Sequence, residues 1–105
     1  YPDGEYLLGP NRVIVKDGDA KLVENGVRAG STLTMDKALR NLLDFTRAPL
    51  QRIVPLLSTN AARMLGLSDL GEIALGKRAD ATILDSSMDV VATITSGKIA
   101  YRREE

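Results

Sequence analysis

Histidine and cysteine are both missing from this chain. Histidine is the commonest general base near neutral pH and a leading ligand of transition metals. Without either residue the chain cannot by itself build a Ser-His-Asp triad or a usual zinc site, and only a purely carboxylate site stays open. The lack of cysteine removes disulfides and thiolate chemistry and is compatible with a cytoplasmic protein. An excess of charge of either sign is also absent. Fourteen basic residues balance fourteen acidic ones, so nothing draws the chain to nucleic acid or to an anionic membrane surface. No apolar run reaches the length of a transmembrane helix, and the first residues have no secretory pattern. Internal repeats and low-complexity linkers are missing as well. The chain opens on Tyr1 with no methionine before it, which suggests a piece of something longer, although a processed or tagged product would look the same.

What is present suits one modest folded domain. The 105 residues are 44% hydrophobic and 27% charged, a balance that argues against disorder. Tyr1-Pro2-Asp3-Gly4 has the chemistry of a turn. Glu5 to Leu8 reads as a short strand closed by Gly9-Pro10. Val13 to Lys16, Asp17-Gly18 and Asp19 to Val23 form the clearest local signal, because Asp-Gly separates two β-prone runs. Asn25-Gly26 supplies a second turn.

The stretch from Val27 to Met35 is the joint where sheet-like patterning gives way to helical spacing. Gly30 and Ser31 make a small-residue corner that could bring backbone amides close to a ligand, or serve as an ordinary loop. Thr34 is placed to cap the following helix, with Asp36 in its first turn. Ser31 and Thr32 could touch a phosphate or simply satisfy the cap.

Met35, Ala38, Leu39, Leu42, Leu43 and Thr46 fall at i, i+3, i+4, i+7, i+8 and i+11, which predicts a helix of about three turns. Lys37, Arg40 and Asp44 are expected on its outer side. Pro49 can open the next helix. Pro55 lies inside that run and predicts a kink or an early stop. Asn60 is the expected cap of a short helix from Ala61 to Leu65, ended by Gly66 in the left-handed region. Beyond Leu67 the patterning is β again. Gly71 to Asp85 reads as a turn and a strand, with Ala79, Ala81 and Ile83 on one face and Asp80, Thr82 and Leu84 on the other. Val90 to Thr95, Ser96-Gly97 and Lys98 to Tyr101 read as a hairpin, and Arg102 to Glu105 as a solvated tail. The Lys77-Arg78 pair reads as a solvated turn or as an anion patch.

As an isolated chain this is an α+β arrangement: a hairpin, two to three helices, then a strand and a hairpin. Two β-pieces with different helical company suggest either one compact domain or the end of a larger barrel whose last strands join a separate small sheet.

Two segments carry a resemblance. Gly71-Glu72-Ile73 through Gly76-Lys77-Arg78-Ala79-Asp80 to Leu84-Asp85, closed by Ser96-Gly97-Lys98, resembles the C-terminal β-segment of the amidohydrolase superfamily. Pro2-Asp3-Gly4-Glu5-Tyr6, Leu8-Gly9, Val13 and Val15, Asp17-Gly18, Ala20, Leu22, Ala29 to Met35 and Arg40-Asn41-Leu42 are similar to the N-acetylglucosamine-6-phosphate deacetylase family. The resemblance covers nearly the whole chain. It implies an α/β architecture, the C-terminal part of a metal-dependent (β/α)8 barrel with strands of its small β-domain. Residues 1–67 would end the catalytic barrel, and 68–105 would belong to the small β-sandwich.

The resemblance also implies a reaction. The whole enzyme removes acetate from N-acetylglucosamine 6-phosphate, with a divalent metal, zinc or similar, that polarises the amide carbonyl and generates hydroxide. The metal ligands and the proton-shuttling aspartate belong upstream of Tyr1 in that layout. This chain is then expected to hold no catalytic residue and no metal ligand, and to be inactive alone. Asp3, Asp17 and Asp36 are on this reading a turn, a hairpin and a helix start. The substrate-binding element that maps here is Arg28, Ala29 and Gly30, which would line the sugar site. Arg28 stands where the family often has an aliphatic residue, so its side chain is either an added contact to the sugar phosphate or a solvated loop residue.

The expected partners are the remainder of the enzyme chain, N-acetylglucosamine 6-phosphate and further copies in a homo-oligomer, with no nucleic acid and no membrane. A dihydroorotase-like or deaminase-like enzyme would share Gly71 to Asp85 without the Ala29 to Met35 run. A non-catalytic interaction domain would use an exposed helix stripe to bind a partner. A barrel fragment exposes faces that met the rest of its barrel, whereas an evolved binding module does not.

Overall fold

The computed structural model describes residues 1–104. The chain groups into two compact units, one ending at Thr34 and the other starting at Met35. This grouping within the chain differs from the 67/68 boundary that the resemblance implies for a complete enzyme.

The first unit is an antiparallel meander of β1 (Gly4–Leu8), β2 (Asn11–Lys16) and β3 (Asp19–Leu22), in the order β1-β2-β3. The expected hairpin is therefore joined by Glu5 to Leu8 as a third strand. Alternation does the rest: Val13 and Val15 point into a small core with Ala20, while Ile14 between them faces outward. Val15 pairs with Ala20 and Val13 with Leu22, so both strands put apolar residues on one face. Tyr6, Leu22 and Ala29 pack against the same cluster. The turn at Asp17-Gly18 has positive φ at both residues, 50° and 76°, the geometry of a type I′ hairpin that suits the strand twist. Asp3 reaches this turn, its carboxylate accepting the Asp17 N–H at 3.1 Å.

The second unit begins with α1 (Met35–Thr46), α2 (Leu50–Leu57) and α3 (Thr59–Met64). The α2 helix packs against both of the others. Each contributes one buried residue: Leu39, Ile53 and Ala62. The α1 stripe lies where its spacing puts it, except that Met35 at its start is exposed. Pro55 does not break α2, which stops two residues later at Leu57. Two expectations are corrected here. Asn60 does not cap α3; the helix starts at Thr59, and the preceding Ser58 spends its hydroxyl on the carbonyls of Val54 and Gly71. Arg40 does not simply face outward: its guanidinium binds Asp36 and Asp89, each at 2.8 Å, and the Met88 carbonyl. At the other end of α3, the Gly66 N–H meets the Arg63 carbonyl and the Leu67 N–H that of Ala62, with Gly66 at φ 70°. This is the Schellman closure that a left-handed residue permits.

The unit ends in a second antiparallel meander, β4 (Ala81–Leu84), β5 (Val90–Thr95) and β6 (Lys98–Arg102). Ser96-Gly97 again takes positive φ at both positions. Register shifts fall at Ile83/Leu84 and Thr93/Ile94, and Ile83 is exposed while Ala81 is half-buried. The described tail is exposed as expected, but Arg103 is tied back to the sheet. Its N–H binds the Val91 carbonyl and its guanidinium binds Asp85.

Two carboxylates pin this sheet. Asp80 accepts the Ser96 N–H at 2.7 Å, and this bond, aided by Arg78, holds its carboxyl below the usual carboxylate range. Asp85 is held low chiefly by the Asp89 N–H, then by Arg103 and the Ser87 N–H. A carboxyl whose folded pKa is depressed contributes stability above its unfolded pKa, about 3.9, and loses that contribution as pH falls through the folded value. The melting temperature is therefore expected to fall as pH drops below about 4. Asp85→Asn should melt lower at neutral pH and show a flatter acid limb in thermal scans from pH 7 to pH 2.

Candidate functional site

Arg28, Ala29 and Gly30 lie beside β3. Lys21 and Arg28 form an isolated antiparallel bridge, and the Ala29 N–H donates to the Ala20 carbonyl at 2.8 Å. The three residues thus have different surroundings. Ala29 turns its methyl toward the Val13/Val15/Ala20 core. Arg28 is exposed, with its Nε 3.3 Å from an Asp19 carboxylate oxygen. Asp19 also receives Lys21 at 3.1 Å, and Lys21 does most to lower its pKa, with Arg28 adding to it and partial burial opposing both. Gly30 is exposed, and a Cβ added there would meet no atom within 4 Å. Of the three, Arg28, paired with Asp19, and Gly30 lie at the surface, while Ala29 packs inward.

Ser31 and Thr32 follow. The Ser31 hydroxyl accepts the Leu33 N–H, and the Thr32 hydroxyl donates to the Gly18 carbonyl. The first bond holds the corner's own backbone, and the second ties the corner to the β2–β3 turn. Asp3 and Asp36 are likewise spent on structure, Asp3 on the Asp17 N–H and Asp36 on Arg40.

A groove of about 690 Å³ in the second unit runs between the α1–α2 face and the β4–β5 face, with Leu39, Val54, Leu84 and Val90 among its apolar walls. Three carboxylates border it. Asp36 is paired with Arg40, Glu72 with Lys77 at 2.8 Å, and Asp80 with Arg78 and the Ser96 N–H. Lys77 also donates to the Ser68 carbonyl. Lys77 and Arg78 thus serve the turn they sit in. The groove offers an apolar lining with acidic groups already matched by cations, and no nucleophile set beside a base.

Metal ligation gives the same answer. Among the described residues no three of His, Cys, Asp or Glu come together to hold an ion. The residues present do not fit a metal centre. Among them, too, no helix is long and apolar enough to cross a membrane.

Comparison with known proteins supplies what the geometry alone does not. The family model described as "Amidohydrolase family" matches residues 13–100. The chain belongs to the amidohydrolase family. The family is generally metal-dependent. This amidohydrolase chain is 43% identical over 98 residues to a Lysinibacillus sphaericus protein named N-acetylglucosamine-6-phosphate deacetylase, covering 93% of the chain and 25% of that protein. It is 36% identical over 100 residues to an Escherichia coli protein named N-acetylgalactosamine-6-phosphate deacetylase, covering 94% of the chain and 26% of that protein. The crystal structure of the Thermotoga maritima N-acetylglucosamine-6-phosphate deacetylase superposes with a TM-score of 0.83 at 40% identity, over 96% of this chain and 28% of that one. The chain spans about a quarter of the length of these two curated relatives. The small α+β arrangement with two three-stranded sheets agrees with the deacetylase fold.

Proposed function

We propose that this amidohydrolase chain is the C-terminal part of a sugar-phosphate deacetylase that converts N-acetylglucosamine 6-phosphate to glucosamine 6-phosphate and acetate. The observation that carries this reading is the superposition of nearly the whole chain on the Thermotoga maritima deacetylase. In the complete protein, residues 1–67 close the catalytic barrel and 68–105 belong to the small β-domain. The divalent metal and the acid–base group are held by residues outside this chain, which has no histidine or cysteine and whose described residues bring no three acidic groups together. Exposed Leu7, Phe45, Met64, Ile73 and Leu75 support a chain whose faces are covered by further polypeptide and by other copies in a homo-oligomer. The balanced charge and the lack of cysteine fit a cytoplasmic setting.

Arg28 to Gly30 form one wall of the sugar site in this reading. A second substrate, the N-acetylgalactosamine 6-phosphate epimer, is favoured by the 36%-identical Escherichia coli relative. Acetate release measured with each epimer on the complete enzyme separates the two, and release from neither overturns the deacetylase reading.

An added Cβ at Gly30 meets nothing in the chain itself, but its φ of +158° disfavours an L side chain, so the kinetic effect reports on the ligand only where the variant melts with the parent. Gly30→Val in the complete enzyme is expected to raise KM about tenfold, equivalent to about 1.4 kcal/mol of binding. Steady-state kinetics with a thermal melt as control checks this. An unchanged KM removes Gly30 from the site.

A further inference from the structure

Gly30 has open space around it, so nothing lodged against the glycine decides where it sits. Its place is set by what holds its neighbours, and the same hairpin holds both sides. On the near side, the Ala29 N–H is bound to the Ala20 carbonyl and Arg28 Nε lies 3.3 Å from Asp19. On the far side, the Thr32 hydroxyl is bound to the Gly18 carbonyl. Gly18, Asp19 and Ala20 are consecutive, so three neighbouring residues of the β2–β3 hairpin grip both ends of the corner. The hairpin tip is braced in turn by the carboxylate of Asp3 on the Asp17 N–H.

We propose that Thr32 is a positioning residue of the substrate site, its hydroxyl tying the corner to the Gly18 carbonyl so that Gly30 is presented at a fixed place. The proposal rests on the reading that Arg28 to Gly30 face the sugar. The β2–β3 tip is the template, and the corner is the part that must not drift. Arg28 reaches Asp19 through a flexible side chain at the surface, where an ion pair constrains little. On the far side of Gly30, therefore, the threonine bond is what stands between a held corner and a loose one. Removing it lets the corner sample positions in which ligand contacts are lost, which lowers substrate affinity without touching the reacting atoms.

The test uses the complete enzyme with Thr32→Val, which keeps the shape and removes the donor, and Thr32→Ser, which restores the donor on a smaller side chain. Amide hydrogen exchange across residues 29–33 is the direct readout, and kinetics with N-acetylglucosamine 6-phosphate is the second. A hydrogen bond of ordinary net strength corresponds to roughly a fivefold change. Thr32→Val is expected to speed exchange in this segment about fivefold and to raise KM about fivefold with kcat unchanged, and Thr32→Ser to bring both back toward the parent values. Unchanged exchange in Thr32→Val overturns the proposal. So does faster exchange with an unchanged KM in an enzyme where Gly30→Val does raise KM. If Gly30→Val leaves KM alone, the sugar-facing reading fails instead, and the proposal falls with it whatever the exchange shows. Should Thr32→Val prove insoluble, Thr32→Ala read by the same two measurements decides by the same outcomes.

Discussion

Ile53→Ala is expected to lower the unfolding free energy by about 2–5 kcal/mol, the range for truncating a buried isoleucine to alanine. Ile53 is the most buried of the chain's core residues at 2% exposure. It lies on α2, the helix that contacts both α1 and α3. The core it serves is thin, with one buried residue per helix, so there is little neighbouring bulk to collapse into the gap. Ile53→Val should cost about 0.5–1.5 kcal/mol, and Arg52→Ala at the neighbouring exposed position less than about 0.5 kcal/mol. Chemical denaturation of the complete protein carrying each variant checks the order. Equal midpoints for Ile53→Ala and Arg52→Ala would show that the helices do not depend on this contact.

The second large effect is expected at Gly71. Its φ is +89°, in the left-handed region. A Cβ built there would lie 2.8 Å from the Ala62 methyl and 3.0 Å from the Thr59 Cα. The backbone cannot easily back away, because the Gly71 carbonyl accepts both the Ser58 hydroxyl at 3.1 Å and the Thr59 hydroxyl at 2.6 Å. Gly71→Ala therefore combines a left-handed penalty of about 1–2 kcal/mol with an overpacking cost of about 1–3 kcal/mol. The pair Gly71→Ala/Ala62→Gly separates the two. Removing the Ala62 methyl relieves the closest contact but neither the backbone conformation nor the approach to Thr59, so the double variant should recover only part of the loss. A single Gly71→Ala variant that melts with the parent would contradict the packing described at the start of α3.

The readable parts of the sequence were those whose cause is local. Asp17-Gly18 and Ser96-Gly97 each place two residues able to take positive φ between β-prone runs, and both turns form where they are written. The α1 helix follows the spacing of Ala38, Leu39, Leu42 and Leu43. The start of α3 was misplaced by one signal competing with another. Asn60 is a good cap by type, but Ser58 and Thr59 are drawn to the Gly71 carbonyl twelve or thirteen residues away, and that contact fixes where the helix begins. Arg40 was read as outward because no local rule reports Asp89, 49 residues on. No local rule reports the partners that hold the exposed tail at Arg103, since Asp85 and Val91 are distant in sequence.

The candidate site divides along the same line. Composition alone showed that no histidine or cysteine chemistry belongs to these residues, and a particular run, Ala29 to Met35, pointed to the corner. That Ala29 packs on the Val13/Val15/Ala20 cluster, that Arg28 answers to Asp19 and that Thr32 is tied to Gly18 was decided only by the folded chain. By itself, then, the sequence determined the turns, the helical stripe and the family. The tertiary structure decided which hydroxyls, carboxylates and cations are spent on holding the backbone and which are left for a ligand. The reason is physical: turn propensity and side-chain periodicity are set within a few residues, whereas a hydrogen bond or ion pair chooses among every group the fold brings near.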